Sequence, residues 1–190
     1  MAAVLTTFPA AVNNACSLNP LSVIDIMKWL WLSLLTVVLD QLTKVIAEAE
    51  LLLHKPVAVF PGFNLTLMYN KGAAFSFLSD AGGWQRILFV TLSTVISIFL
   101  FFWLKQITRD PDQQHNHLLQ AAIAFILGGA IGNLIDRAAT GAVVDFIQVY
   151  YSTHYFPAFN IADSAITLGA GLLILDMLLE SRRNKTLQKH

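Results

Sequence analysis

Two aspartates stand where a carboxylate needs a partner or a purpose. Asp145 lies in Gly141-Ala142-Val143-Val144-Asp145-Phe146, among apolar neighbours, and Asp163 lies in Phe159-Asn160-Ile161-Ala162-Asp163-Ser164, where a helix is expected to begin. Two partly desolvated carboxylates are the minimum equipment for aspartyl proteolysis. One acts as base and activates water while the other, protonated, donates to the scissile carbonyl; close like charges push the two ionisations apart. The positive end of a helix dipole favours a negative charge at Asp163, which makes it the better candidate for the member of lower pKa, with the pair titrating as a unit and its protonation order left open. A plainer reading stands beside this one. Asp is a favoured capping residue, so Asp163 could close a helix end without doing chemistry.

Other polar residues are placed where they could join such a pair. Asp40 and Lys44 are four apart and can pair on one helix face, which points to support of the structure. Asn133, Asp136 and Arg137 share a face if their segment is helical. Asp136 and Arg137 are adjacent and point about 100° apart, so each is expected to meet a different partner. The competing reading makes them a membrane-boundary cap facing interfacial water. Gly128-Gly129-Ala130-Ile131-Gly132 offers small residues four apart for close helix contact. His115 and His117, near Pro111, read as a solvated loop, and Asp176 as an acid reaching the interface. A single cysteine, Cys16, and the lack of paired Cys or clustered His spacing, His154 included, predict no disulfide, metal or other cofactor.

The elements that must position these residues are apolar. Of 190 residues, 56% are hydrophobic and 13% charged, about half the charged share of a soluble domain. Lys plus Arg (12) balances Asp plus Glu (12), which leaves no basic surface for nucleic acid. Four segments have the roughly 17 to 25 residues a hydrocarbon core demands: residues 29–47, 87–104, 118–135 and 161–179. The expected fold class is therefore an all-α integral membrane protein, four transmembrane helices with a small extracytoplasmic β-sheet.

Four spans put both termini on one side. Lys28, Lys105, Arg109, Arg182, Arg183, Lys185 and Lys189 fall there, so that side is expected to be cytoplasmic. Asp40, Lys44, Asn70, Asn133, Asp136, Arg137, Asp145 and Asp163 then gather at the opposite face. Between the first two spans, Phe63, Leu65, Leu67 and Tyr69 alternate with Asn64, Thr66 and Met68, the period of a strand. Residues 57–60 and 73–77 are its expected partners in an outer β-segment over about 55–79, with turns at Pro61-Gly62 and Lys71-Gly72 and a short interfacial helix before Trp84. Residues 1–26 have no Lys or Arg and are interrupted by Pro9, Pro20 and several Asn. Two readings stay open: a start at Met27, or a disordered extension. The peptidase domain is then 27–180, with a basic cytoplasmic tail over 181–190.

Taken in order, five boxes resemble the bacterial lipoprotein signal peptidases, the type II signal peptidase family: Asp40-Gln41-Leu42-Thr43-Lys44; Asn70-Lys71-Gly72-Ala73-Ala74-Phe75-Ser76; Gly128 through Asn133-Leu134-Ile135-Asp136-Arg137; Val143-Val144-Asp145-Phe146; and Phe159-Asn160-Ile161-Ala162-Asp163-Ser164. The resemblance covers residues 27–179. It implies a membrane aspartyl endopeptidase that removes the signal peptide from prolipoproteins carrying a diacylglyceryl group on cysteine, cutting immediately before that cysteine. It places the catalytic dyad at Asp145 and Asp163, and substrate contacts at Asn70, Gly72, Asn133, Arg137 and Asn160. Asp40, Lys44 and Asp136 fall at supporting positions. It further implies a bacterial inner-membrane location with the site near the periplasmic face, a sheet that cradles substrate, contact with membrane lipids, and sensitivity to the cyclic peptide globomycin.

Two other classes use the same residues. Paired membrane carboxylates serve proton-coupled carriers, and capped helices serve scaffolds. The acids gather at one face and no inverted repeat is visible, which weighs against a carrier.

Overall fold

A computed structural model describes residues 20–72 and 84–187. Its frame is four helices, each long and apolar enough to cross a membrane: α1 (Pro20–Glu50), α2 (Trp84–Ile107), α3 (His117–Ala139) and α4 (Ile161–Leu187). α3 is the central one. Of its most apolar stretch 61% is buried inside the protein, against 28%, 17% and 22% for α1, α2 and α4, whose outward faces carry Leu, Ile, Val and Phe. A helix apolar all round suits hydrocarbon on one side and helix neighbours on the other.

The glycines of α3 explain how its neighbours come so close. A Cβ on Gly128 would lie 2.7 Å from the Ser33 carbonyl oxygen of α1, and one on Gly129 would collide with the Ala162 carbonyl oxygen of α4. Small residues thus let backbones touch on two sides, as their spacing predicts. At the end away from the sheet, Leu100, Leu104 and Ile107 of α2 interlock with Leu119, Ile123 and Leu127 of α3.

Helix bounds differ from expectation at both chain ends. α1 starts at Pro20, where a missing N–H costs a first helical turn nothing. Residues 20–26 belong to this helix, and residues 1–19 lie outside those described. α4 continues to Leu187, so most of the basic tail is helix. Asp176 does not simply reach the interface. It is buried and accepts from Asn116 Nδ2 at 2.9 Å, while Asn116 Oδ1 caps α3 by accepting the Leu119 N–H at 3.1 Å.

Between the helix ends sits one antiparallel sheet of order β1-β2-β3-β4: β1 (Val57–Phe60), β2 (Phe63–Asn70), β3 (Val143–Tyr151) and β4 (His154–Tyr155). β1 and β2 occupy the segments expected, and Gly62 turns between them with φ +91°. The principal partner of β2 is β3, which periodicity did not reveal. Its run Val143-Val144-Asp145-Phe146 is buried on both faces and so does not alternate. Residues 73–77, the other expected partner, and the segment expected to hold the interfacial helix lie outside the described residues. The polar side of β2 is also a buried one: Asn64 and Thr66 are covered, and Asn64 Nδ2 meets Gln148 Oε1 at 3.3 Å. A register shift between Leu65 and Met68 brings Met68 opposite Asp145 and Asn70 opposite Val143.

Candidate active site

β3 carries Asp145 directly over the start of α4, where Asp163 is the third helical residue. Asp163 is not the cap. Asn160 is: its Oδ1 accepts the Asp163 N–H at 2.9 Å, a bond between the cap and the third helical position. The capping reading of Asp163 is thereby overturned, which frees its carboxylate for other partners.

Asn160 is fully buried and binds both aspartates. While Oδ1 holds the Asp163 backbone, Nδ2 donates to Asp145 Oδ1 at 2.7 Å and lies 3.2 Å from the Val144 carbonyl oxygen. Asn70, diagonally across the ladder, donates to Asp145 Oδ2 at 3.2 Å. Asn133 on α3 donates to Asp163 Oδ1 at 2.7 Å. Each carboxylate therefore receives an amide N–H, and the Asn160 Nδ2 to Asn133 Oδ1 distance of 3.3 Å joins the two halves.

Asp145 is 3% exposed, and burial, followed by the adjacent negative charge of Asp163, pushes its carboxyl up to about 7. The Asn70 and Asn160 hydrogen bonds and the Lys44 charge pull the other way and are outweighed. Near neutrality Asp145 exists in both forms, the condition a general acid requires.

A second layer holds the first. Lys44 bonds Asp40 Oδ2 and Asp136 Oδ2, both at 2.7 Å, and donates to Asn133 Oδ1 at 3.1 Å. Asp40 Oδ1 accepts the Ala162 N–H at 2.8 Å, so the first helix caps the fourth. Asp136 accepts the Val144 N–H at 3.2 Å and Gln41 Nε2 at 2.9 Å, tying α3 to β3 and α1. Asp136 and Arg137 do meet different partners. The boundary-cap reading fails, because Asp136 is buried in an ion pair rather than turned to water.

Arg137 leaves that network and stacks over the Phe89 ring, its guanidinium carbon 5.4 Å from the centroid. It reaches the Gly72 carbonyl oxygen at 3.4 Å, and the Gly72 N–H in turn donates to Asn70 Oδ1 at 3.0 Å. Among the described residues the buried Arg137 Nε has no acceptor.

All ten residues singled out in the sequence, Asp40, Lys44, Asn70, Gly72, Asn133, Asp136, Arg137, Asn160, Asp145 and Asp163, thus lie in one connected cluster. The signal peptidase (SPase) II family matches residues 32–179 of the chain. The chain belongs to that family. It is 58% identical to a lipoprotein signal peptidase of Acinetobacter baumannii over 83% of its own length and 87% of the relative's. It is 50% identical to one from Pseudomonas aeruginosa over 80% and 88%. Among solved structures, a bacterial membrane enzyme determined by the in meso method superposes with a TM-score of 0.71 at 33% identity, over 81% of this chain and 89% of that one. As a signal peptidase II with four apolar helices, the protein is a multi-pass bacterial membrane peptidase of the aspartyl type.

Two members of this signal peptidase II cluster escaped sequence reasoning. Gln41 is one, although its place between Asp40 and Lys44 was a signal, since neighbouring helix positions can turn toward the same partner helix. Phe89 is the other, and nothing in a run of apolar residues distinguishes it.

Proposed function

We propose that the protein removes signal peptides from prolipoproteins already carrying a diacylglyceryl group on cysteine, cutting the peptide bond immediately before that cysteine, with Asp145 and Asp163 as the catalytic pair. The observation that carries this reading is the convergence of the two carboxylates on Asn160, one bound to its Nδ2 and the other through its backbone to its Oδ1.

In this mechanism ionised Asp163 takes a proton from a water molecule, and the oxygen attacks the scissile carbonyl carbon. Protonated Asp145 gives its proton to the carbonyl oxygen as the tetrahedral intermediate forms. Collapse breaks the C–N bond, the amine leaves with the proton Asp163 had accepted, and a hydroxyl proton of the intermediate returns to Asp145. The α4 N-terminus favours the negative charge on Asp163, and the position of Asp145 at about 7 suits the acid.

Asn70, Gly72, Asn133, Arg137 and Asn160 hold the substrate backbone in this reading, through amide and guanidinium N–H donors. Asp40, Lys44 and Asp136 keep the helices in place. The diacylglyceryl chains stay among membrane lipids and hold the scissile bond at the interface, each buried methylene contributing about 0.8 kcal/mol. Both termini are cytoplasmic and the site opens near the periplasmic face of the inner membrane, where a globomycin-type cyclic peptide would compete with substrate.

The test is purified protein with lipidated precursor, wild type against Asp145→Asn and Asp163→Asn. Wild type releases the signal peptide, and each variant loses about 10²- to 10⁴-fold in rate while remaining folded. A carrier or a scaffold would release nothing in any form.

A further inference from the structure

Lys44 is 2% exposed and has three acceptors for its three N–H groups. Two are the carboxylates of Asp40 and Asp136. The third is a neutral amide oxygen, Asn133 Oδ1, and an ion pair alone has no need of it. That oxygen also faces Asn160 Nδ2 at 3.3 Å, so donors approach it from α1 and from the start of α4.

This arrangement decides which way the Asn133 amide points. With Oδ1 on Lys44, Nδ2 falls 2.7 Å from Asp163 Oδ1. Turned over, Nδ2 would confront the Lys44 ammonium and the Asn160 amide, donor against donor, and Oδ1 would confront a carboxylate, acceptor against acceptor. Each such mismatch leaves a buried polar group without a partner, so the flipped state is suppressed.

We propose that Lys44 is a positioning residue of the peptidase reaction: by fixing Asn133 Oδ1 it commits Asn133 Nδ2 to Asp163 Oδ1, so that Asp163 turns its other oxygen, Oδ2, to water and substrate. The inference rests on the aspartyl reading above and deepens it. Asp163 Oδ2 accepts no bond from the described residues, whereas both oxygens of Asp145 accept one. The charged groups around Lys44 are Asp40 on its own helix, Asp136 and Arg137 on α3, Asp145 on β3 and Asp163 on α4; the last two feel the Lys44 charge directly.

Lys44→Met by itself leaves Asp40 and Asp136 as buried unpaired charges and endangers the fold. The informative comparison is therefore between Asp40→Asn and Asp136→Asn, each of which keeps Lys44 paired with one carboxylate, and Asp40→Asn/Lys44→Met/Asp136→Asn, which removes the lysine with no carboxylate left stranded. All three are assayed on lipidated precursor across pH, with Tm as a check on folding. Relative to the less active of the two single variants, the triple is expected to lose at least about tenfold in kcat with KM within about threefold. Loss of the positive charge also moves the acid limb of its kcat profile to higher pH. Matching kcat and matching pH profiles would overturn the proposal and leave Lys44 a support for the bundle. Activity surviving in Asp145→Asn or Asp163→Asn would instead sink the aspartyl reading, and this inference with it.

Discussion

The carboxylate of Asp40 accepts the backbone N–H of Ala162 at 2.8 Å, across 122 residues of sequence. One oxygen of a side chain on α1 thereby terminates α4, while the other oxygen holds Lys44. Asp40→Ala removes the cap and half the compensation of a buried lysine, a loss of about 3–5 kcal/mol. Asp40→Asn keeps an oxygen for Ala162 and is expected to fall between Asp40→Ala and wild type. Thermal unfolding in detergent reads the order; equal Tm for the two variants would contradict the capping role.

Close approach of α3 and α4 gives a second test. A methyl group on Gly129 has no flexible side chain alone to displace, because it meets the Ala162 backbone as well as Ile166 Cγ1 at 2.7 Å. Gly129→Ala is expected to destabilise by about 1–3 kcal/mol. It also displaces the helix turn bearing Asp163, so kcat should fall even at temperatures where the variant is folded. Wild-type kcat in a variant of lowered Tm would show that Asp163 does not depend on this contact.

The pH dependence follows from Asp145. Its carboxyl stands above the ordinary range, at about 7, and in the proposed mechanism its protonated form is the acid. Activity should therefore decline as pH rises through about 7, the side on which the proton is lost. The Asn70 hydrogen bond favours the ionised form, so its removal in Asn70→Val raises Asp145 further and moves the declining limb to higher pH, even as total activity falls. A limb that stays in place would separate Asn70 from the titrating group.

Arg137 and Phe89 should behave as a unit. The stacked guanidinium is worth about 0.5–2 kcal/mol, and Phe89→Ala forfeits it without touching any polar group. A severalfold rise in KM with kcat nearly unchanged is expected, because a loosened Arg137 binds the peptide backbone less well in ground and transition states alike. A fall in kcat at constant KM would assign Arg137 to the chemical step instead.

Lipid anchoring is tested by substrate rather than by protein. A precursor without its diacylglyceryl group loses the binding energy that fixes the scissile bond and should be cleaved far more slowly in detergent. Equal turnover of the two forms would remove the anchor from the mechanism.

The sequence by itself determined the bilayer frame and marked most of the polar residues that the fold gathers into the candidate site. Long apolar runs specify spanning helices because unpaired backbone groups cannot persist in hydrocarbon, and that holds whatever the neighbours are. Polar residues at the ends of such runs declared themselves by their cost, which is how Asp40, Lys44, Asp136, Asp145 and Asp163 came to notice before any contact was known. The strand over Phe63–Asn70 was legible from its alternation, but β3 was not, since a segment covered on both faces has no period to read. Only the tertiary structure decided who serves whom: that Asn160 and Asp40, not Asp163, close the start of α4, that Asp136 answers Lys44 rather than water, and that Phe89 lies under Arg137. These choices are made between residues tens of positions apart, by hydrogen-bond directions and backbone approaches that exist only once four helices and a sheet are packed together.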